Sequence, residues 1–252
     1  MELLELEKVE KIYQQGEIEV PALRGVDLTI SRGEFTSVFG PSGSGKTTLL
    51  NLIGALDKAT RGKIYFDGEE LGEQSKNELA MLRRKKIGFI FQSYNLIPVL
   101  TALENVEFAL RIAGVKNGKV SRKKSRELLA EVGLEGMEDR RPNELSGGQK
   151  QRVAVGRALV KEPSLVLADE PTANLDSETS QEVLEIMLDM NRHLETTFVF
   201  STHDPLVMDY ARRLLEIKDG RITQDKNGRE PGEASRRLGP YYSEQADGQE
   251  KE

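Results

Sequence analysis

Eight consecutive residues, Gly40-Pro41-Ser42-Gly43-Ser44-Gly45-Lys46-Thr47, fit the spacing G-x-x-x-x-G-K-[ST]. The glycines let the backbone wrap with its N–H groups turned inward, which makes a nest for an anion. A helix starting near Gly45 adds the partial positive charge of its N-terminus. The Lys46 ammonium is then expected to reach the β- and γ-phosphates of a nucleotide, and the Thr47 hydroxyl to ligate Mg2+. A second chemical pair, Asp169-Glu170, follows four apolar residues. A carboxylate at the end of an apolar strand can hold Mg2+ directly or through water, and Glu170 beside it is placed to polarise an attacking water as general base. Alone, an Asp-Glu pair after a strand reads as a solvated loop. The glycine-rich loop about 120 residues upstream turns that reading toward phosphate chemistry.

These side chains need strands that end where they sit. Phe35, Val38 and Phe39 form an apolar strand running into the loop, and Leu49, Leu52, Ile53 and Leu56 fall on one face of the helix after it. Residues 87–91 (IGFIF) end at Gln92, residues 165–168 (LVLA) at Asp169, and residues 198–202 (FVFST) at His203. In an open parallel sheet, ligands bind at the carboxyl ends of the strands, so the four ends are expected to converge. Gln92, at the join with a helical stretch, reads as a γ-phosphate sensor. His203, one of two histidines, is placed to bond the γ-phosphate and hold the attacking water, whereas His193 in a polar stretch reads as surface.

Elsewhere, residues 26–30 and 63–66 are β-prone, with Asp67-Gly68 as a turn. Residues 93–161 are mostly helical in pattern: Leu103, Val106 and Leu110 make one stripe, Leu128, Leu129 and Val132 another, and Val153, Gly156 and Leu159 a third. A helix through Val183, Leu184, Met187 and Leu188 then separates two strands, and such alternation implies a parallel sheet. From Asp225 onward the chain is polar, rich in Gly, Pro and both charge signs, and reads as a loose tail.

Composition narrows the class. At 252 residues with 37% hydrophobic and 31% charged residues, the chain can bury a substantial core. A net charge of −6 argues against a dedicated nucleic-acid binder. The absence of cysteine removes disulfides, thiolate chemistry and cysteine-ligated zinc, and suits a reducing cytoplasm. The opening residues lack the basic and apolar regions of a signal peptide, and no run approaches a membrane span. Any work at a membrane is therefore expected to need a separate spanning partner.

Kinases, GTPases and helicases share a phosphate loop. What separates this chain from them is Leu145-Ser146-Gly147-Gly148-Gln149, followed by a helical run. Ser146 is a good N-cap, and two glycines opening the helix leave N–H groups and a helix dipole as a second anion site. Over residues 2–223 the chain resembles the ABC ATPase family, with residues 145–149 as its signature motif roughly 17 residues before the Walker-B strand. Asn174-Leu175-Asp176 resembles the family's D-loop, with Asn where Ala is usual.

The resemblance implies an α/β P-loop NTPase fold: a parallel sheet core, an N-terminal antiparallel β subdomain and a helical subdomain insert. Residues 1–92 and 162–224 would be the ATP-binding core, 93–161 the helical subdomain and 225–252 the tail. Catalytic candidates are Glu170, His203, Gln92 and Lys46, and candidates for holding Mg2+ are Thr47, Gln92 and Asp169. The ATP-binding set is Tyr13, Gly40, Pro41, Ser42, Gly43, Ser44, Gly45, Lys46, Thr47, Thr48, Ser146, Gly147, Gly148 and Gln149. Tyr13 would stack on adenine, although a ring at a strand end also fits an ordinary strand tyrosine.

The resemblance further implies a head-to-tail dimer, each ATP lying between the glycine loop of one copy and the signature of the other. Residues 40–68, 87–106, 165–177 and 215–223 look like ATPases of lipoprotein-releasing and macrolide-exporting systems. A separate integral-membrane permease is the expected partner, at the cytoplasmic face of a prokaryotic membrane, with no direct cargo contact and no nucleic acid. A cell-division-type ATPase that signals through a membrane partner is the alternative. The basic runs Arg83-Arg84-Lys85-Lys86 and Arg122-Lys123-Lys124 read as solvated helix ends, with anionic lipid or a permease as the other candidates.

Overall fold

The alternation of acids and leucines that opens the chain is a strand pattern, and it forms β1 (Glu2–Gln15), which pairs antiparallel with β2 (Ile18–Ser31). The computed structural model describes residues 1–228. After β2 the chain enters β3 (Phe35–Phe39), buried along its whole length, and then α1 (Lys46–Ile53). Next come β4 (Arg61–Phe66), the short β5 (Glu69–Glu70), α2 (Lys76–Lys86) and β6 (Ile87–Phe91). Three helices follow: α3 (Ala102–Ile112), α4 (Gly118–Glu131) and α5 (Gly147–Leu159). The chain returns through β7 (Leu165–Asp169), α6 (Ser177–Leu194), β8 (Thr197–Thr202), α7 (Pro205–Tyr210), β9 (Arg213–Lys218) and β10 (Arg221–Lys226).

Two sheets result. One is antiparallel, in the order β2-β1-β4-β5; the other runs β10-β9-β3-β8-β7-β6, with parallel pairing from β9 to β6 and an antiparallel edge at β10. The fold is α/β, as expected from the strand–helix alternation. Strands buried on both faces read as continuous apolar runs, and Phe35, Phe198 and Phe200 meet in the sheet core with centroids 4.6–5.8 Å apart. The three helical stripes read from the sequence pack into one cluster with this face of the sheet. Leu49, Leu52 and Ile53 join a second cluster with the antiparallel sheet.

Two boundaries differ from the sequence reading. Leu56 is exposed rather than part of the α1 stripe, because the helix stops at Ile53 and Ala55 takes a left-handed conformation (φ 54°). At the other end, β10 runs to Lys226, past the expected start of the tail at 225. Asp225 is held there by two bonds from the buried Arg213 guanidinium, at 2.9 and 2.8 Å. Residues 229–252 of the expected tail lie outside the described residues.

Candidate phosphate site and its second half

β3 delivers the chain into the glycine loop. Gly40 sits at φ 152°, against the backbone of β9: a Cβ there would overlap the Ile217 carbonyl oxygen, so no other residue fits. The loop is also tied to the turn after β9, because the Gly220 N–H donates to the Ser44 carbonyl (3.0 Å) and the Arg24 N–H to the Gly220 carbonyl (2.8 Å). The Lys46 ammonium donates to the carbonyls of Gly40 (2.7 Å) and Pro41 (3.0 Å), lying back along the loop. Burial pushes its pKa down, and the nearby Glu170 and Asp169 oppose that shift. The Ser44 hydroxyl is buried without a protein partner, close to Gly40, and does not line the cavity between the loop and the carboxylates.

The carboxylates arrive from β7. Asp169 is its last residue, and Glu170 follows at φ 46°, a left-handed conformation that costs of order 1–3 kcal/mol in a non-glycine residue. Its backbone N–H is fixed by the Ser201 carbonyl of β8 at 2.8 Å. The Thr202 hydroxyl donates to its carboxylate at 3.1 Å, and His203 Nδ1 lies 2.6 Å from the other oxygen. Glu170 is mostly buried, whereas His203 is 69% exposed.

Between loop and carboxylates lies a cavity of about 300 Å³. Lys46, Thr47, Thr48, Gln92, Asp169 and Glu170 line it, with Ser42, Gly43 and Gly45 of the loop. Ala22 and Ser201 also line it, and neither was singled out from sequence. The donors of Thr47, Gln92 and Asp169 are all oxygens, the set a hard cation takes. Among the described residues no group of three or more His, Cys, Asp or Glu could hold a metal, so a cation here must draw much of its coordination from phosphate and water, the habit of Mg2+. The residues present fit it.

Gln92 is held by its backbone: its carbonyl accepts from Asn174 Nδ2 at 3.0 Å. This gives the unusual Asn of the D-loop-like segment a job, since alanine could not make that bond. Two residues on, Tyr94 and Asn95 are both left-handed, at φ 60° and 48°. Their carbonyls accept from the Arg157 guanidinium of α5, Tyr94 at 2.6 Å and Asn95 beside it. Arg157 thereby fastens the chain after Gln92 to the helix that begins at residue 147, and its burial lowers its pKa.

Ser146 caps that helix. Its hydroxyl accepts from the Gln149 N–H (3.3 Å), and the Gln149 amide oxygen accepts from the Ser146 N–H (2.9 Å). Ser146 is exposed. None of residues 146–149 lines the 300 Å³ cavity. The candidate residues therefore fall into two groups within one chain. Gly148 is buried for a reason of packing: a Cβ there would run into the Thr179 methyl of α6.

Tyr13, on β1, stands outside the cavity lining. Its hydroxyl donates to Asp57 at 3.0 Å, and the Lys11 ammonium sits 4.8 Å from its ring centroid. Burial raises its pKa, a neighbouring Thr48 hydroxyl opposes this, and Asp57 adds to the rise. The contact with Thr48 brings the ring to the first turn of α1.

Asn105 was also missed from sequence. Buried at 0% exposure, it clasps the segment after Asn95: its amide donates to the carbonyls of Ile97, Leu100 and Thr101, and its oxygen accepts from the Ile97 N–H. An Asn within an otherwise apolar helical stripe was the available signal.

Comparison with known proteins agrees with this geometry. The family model described as "ABC transporter" matches residues 23–173. A macrolide export ATP-binding/permease protein, MacB, of Syntrophobacter fumaroxidans is 48% identical over 88% of this chain, which spans only 31% of that protein's length. A lipoprotein-releasing system ATP-binding protein, LolD, of Anaeromyxobacter dehalogenans is 45% identical over 91% of this chain and 96% of its own. The dimeric post-hydrolysis structure of the ATP-binding cassette MJ0796, bound to ADP and Pi, superposes with a TM-score of 0.83 at 44% identity, over 90% of this chain and 100% of that one. MJ0796 is from Methanocaldococcus jannaschii. Among the described residues no helix is long and apolar enough to cross a membrane. The chain belongs to the ABC transporter family, as its ATP-binding and ATP-hydrolysing cassette.

Proposed function

We propose that the chain powers an integral-membrane permease of the exporter or lipoprotein-release type, at the cytoplasmic face of the membrane. Two copies would close head to tail, each ATP held between residues 40–47 of one and 146–149 of the other. The observation that carries this is the split just described: a cavity with loop, carboxylates and Gln92, and a capped, exposed helix start that contributes nothing to it. An exposed anion-binding end without a share in its own chain's cavity suits a phosphate brought by a second copy. The dimeric state of the 44%-identical cassette supports the same reading. Likeness to MacB and LolD supports the choice of branch. Residues 1–92 and 162–224 act in this reading as the core that binds ATP, and 93–161 as the helical subdomain that meets the permease.

Lys46 would leave the Gly40 and Pro41 carbonyls for the β- and γ-phosphates, and Tyr13 would stack on adenine. Thr47, Asp169 and Gln92 would hold Mg2+, which when bound neutralises charge on the β- and γ-phosphates. Glu170 accepts the proton of the attacking water as its oxygen bonds to the γ-phosphorus. The bond from that phosphorus to the β–γ bridging oxygen breaks, leaving ADP and phosphate. A carboxylate has about four lone-pair positions. Thr202 occupies one on one oxygen and His203 one on the other, so when His203 turns to the γ-phosphate a water can take its place while the Thr202 bond and the Ser201 carbonyl still hold Glu170. His203, exposed at the rim, would swing to the γ-phosphate.

The test is affinity purification from detergent-solubilised membranes of the source organism, using the tagged chain with Glu170→Gln. A multi-span membrane protein retained in an ATP-dependent manner is expected. Retention of none, with or without ATP, would contradict the permease assignment.

A further inference from the structure

From residue 108 to residue 126 the chain contains seven lysines and arginines and no acid, although the whole protein carries a net charge of −6. The stretch covers the end of α3, the linking turn and the start of α4, and the two helices pack side by side. The acids that bracket it are already engaged: Glu107 faces Arg122 at 3.9 Å and Glu127 faces Lys123 at 3.6 Å. Lys124 reaches Glu162 at 2.7 Å. Arg111, Lys116, Lys119 and Arg126 are exposed, and none of them forms an ion pair within the described residues.

Apolar side chains are exposed on the same tip. Phe108 and Ile112, one turn apart with Arg111 between them, are 39% and 45% exposed, and Val120, beside Lys119, is 53% exposed. Cations interleaved with uncovered apolar groups are what an interfacial membrane-binding surface requires: the charges meet anionic headgroups, and the apolar groups enter the headgroup boundary. The acidity of the rest of the chain would turn its other faces away from such a surface.

We propose that this α3–α4 tip docks on anionic phospholipid headgroups, giving the cassette a direct hold on the bilayer beside any permease contact. Nucleic acid, the other polyanion, offers no place for Phe108, Ile112 and Val120 other than stacking on Phe108 alone. The surface lies apart from the phosphate cavity, so lipid binding stands independently of the permease reading.

The experiment is co-sedimentation of the full chain with vesicles of phosphatidylglycerol and phosphatidylcholine, against vesicles of phosphatidylcholine alone, with no permease present. Binding to the anionic vesicles only, weakened by raised salt, is expected. Each cation near such a surface contributes about fivefold in affinity. The variant Arg111→Gln/Lys116→Gln/Lys119→Gln/Arg126→Gln should therefore lose about a hundredfold or more while its ATPase rate is unchanged. Arg111→Lys/Arg126→Lys should keep binding, and Val120→Asp should weaken it about tenfold or more. Equal binding to both vesicle types, equal binding by the quadruple variant, or binding to an oligonucleotide but not to vesicles would each overturn the proposal.

Discussion

Gly148 offers a sharp test of why a signature glycine is a glycine. A Cβ added there would collide with the Thr179 Cγ2 methyl, whereas Thr179 Cβ and Oγ1 lie at ordinary contact, 3.7 and 3.9 Å away. The methyl cannot simply rotate aside, because Thr179 Oγ1 donates to Asp176 at 2.8 Å and its N–H to the same carboxylate at 2.9 Å. Gly148→Ala must therefore push α5 from α6, an overpacking cost of about 1–3 kcal/mol, or break that bond to a carboxylate at about 1.5–3 kcal/mol. Alanine's better helix propensity returns about 0.5–1 kcal/mol. The net expectation is a loss of about 1–2 kcal/mol in urea unfolding followed by circular dichroism. Thr179→Ser keeps the hydroxyl and removes the methyl. In that background Gly148→Ala should become stabilising by about 0.5–1 kcal/mol. If Gly148→Ala is neutral or stabilising in the parental chain, or if Thr179→Ser leaves its cost unchanged, the packing explanation fails.

Other consequences follow from the same geometry. Glu170→Gln should lower turnover by about 10²–10⁴-fold while keeping ATP affinity, and sedimentation with ATP should find it dimeric; a parental rate would remove Glu170 as the base. Arg157→Met should cost about 2–4 kcal/mol by leaving the Tyr94 and Asn95 carbonyls without their charged donor, with Arg157→Lys recovering part of the loss. Lys161 donates to the Arg83 carbonyl at 2.8 Å, and burial pushes its pKa from 10.5 down to about 8. The unfolded chain keeps that proton to higher pH than the native one. Stability relative to Lys161→Met should therefore rise as pH climbs from about 8 to about 10.5, by at most about 3 kcal/mol. A flat difference in unfolding midpoint across that window would contradict it.

The strand ends were legible because each combines an apolar run with an abrupt change to polar residues: Phe91 to Gln92, Ala168 to Asp169, and Phe200 to Ser201-Thr202-His203. Burial on both faces demands the run, and the ligand edge of a parallel sheet demands the change. The loop was legible for a similar reason, since few spacings wrap backbone N–H groups around an anion. What escaped were groups acting through the backbone. Arg157 binds the carbonyls of two left-handed residues, Asn105 clasps a turn four to eight residues before it, and Asn174 holds Gln92 by its carbonyl. Carbonyls are the same in every residue, so no residue type marks them as partners. Ala22 and Ser201 reach the cavity because β2 and β8 pass beside it, a matter of topology that residue types alone do not carry. Gly148 was read as opening an anion site, and its contact with Thr179 became visible only once α6 was in place.

The central claim is that a working site is assembled from two copies of the chain, and mixing two inactive variants tests it directly. Lys46→Ala disables one half of every site and Ser146→Arg the other. In a two-fold dimer carrying one of each, both defects fall in the same site and the second site is whole. The mixture should hydrolyse ATP at about a quarter of the parental rate, although neither variant does so alone. A mixture no more active than its components, or a Ser146→Arg protein that is fully active by itself, would contradict the shared site.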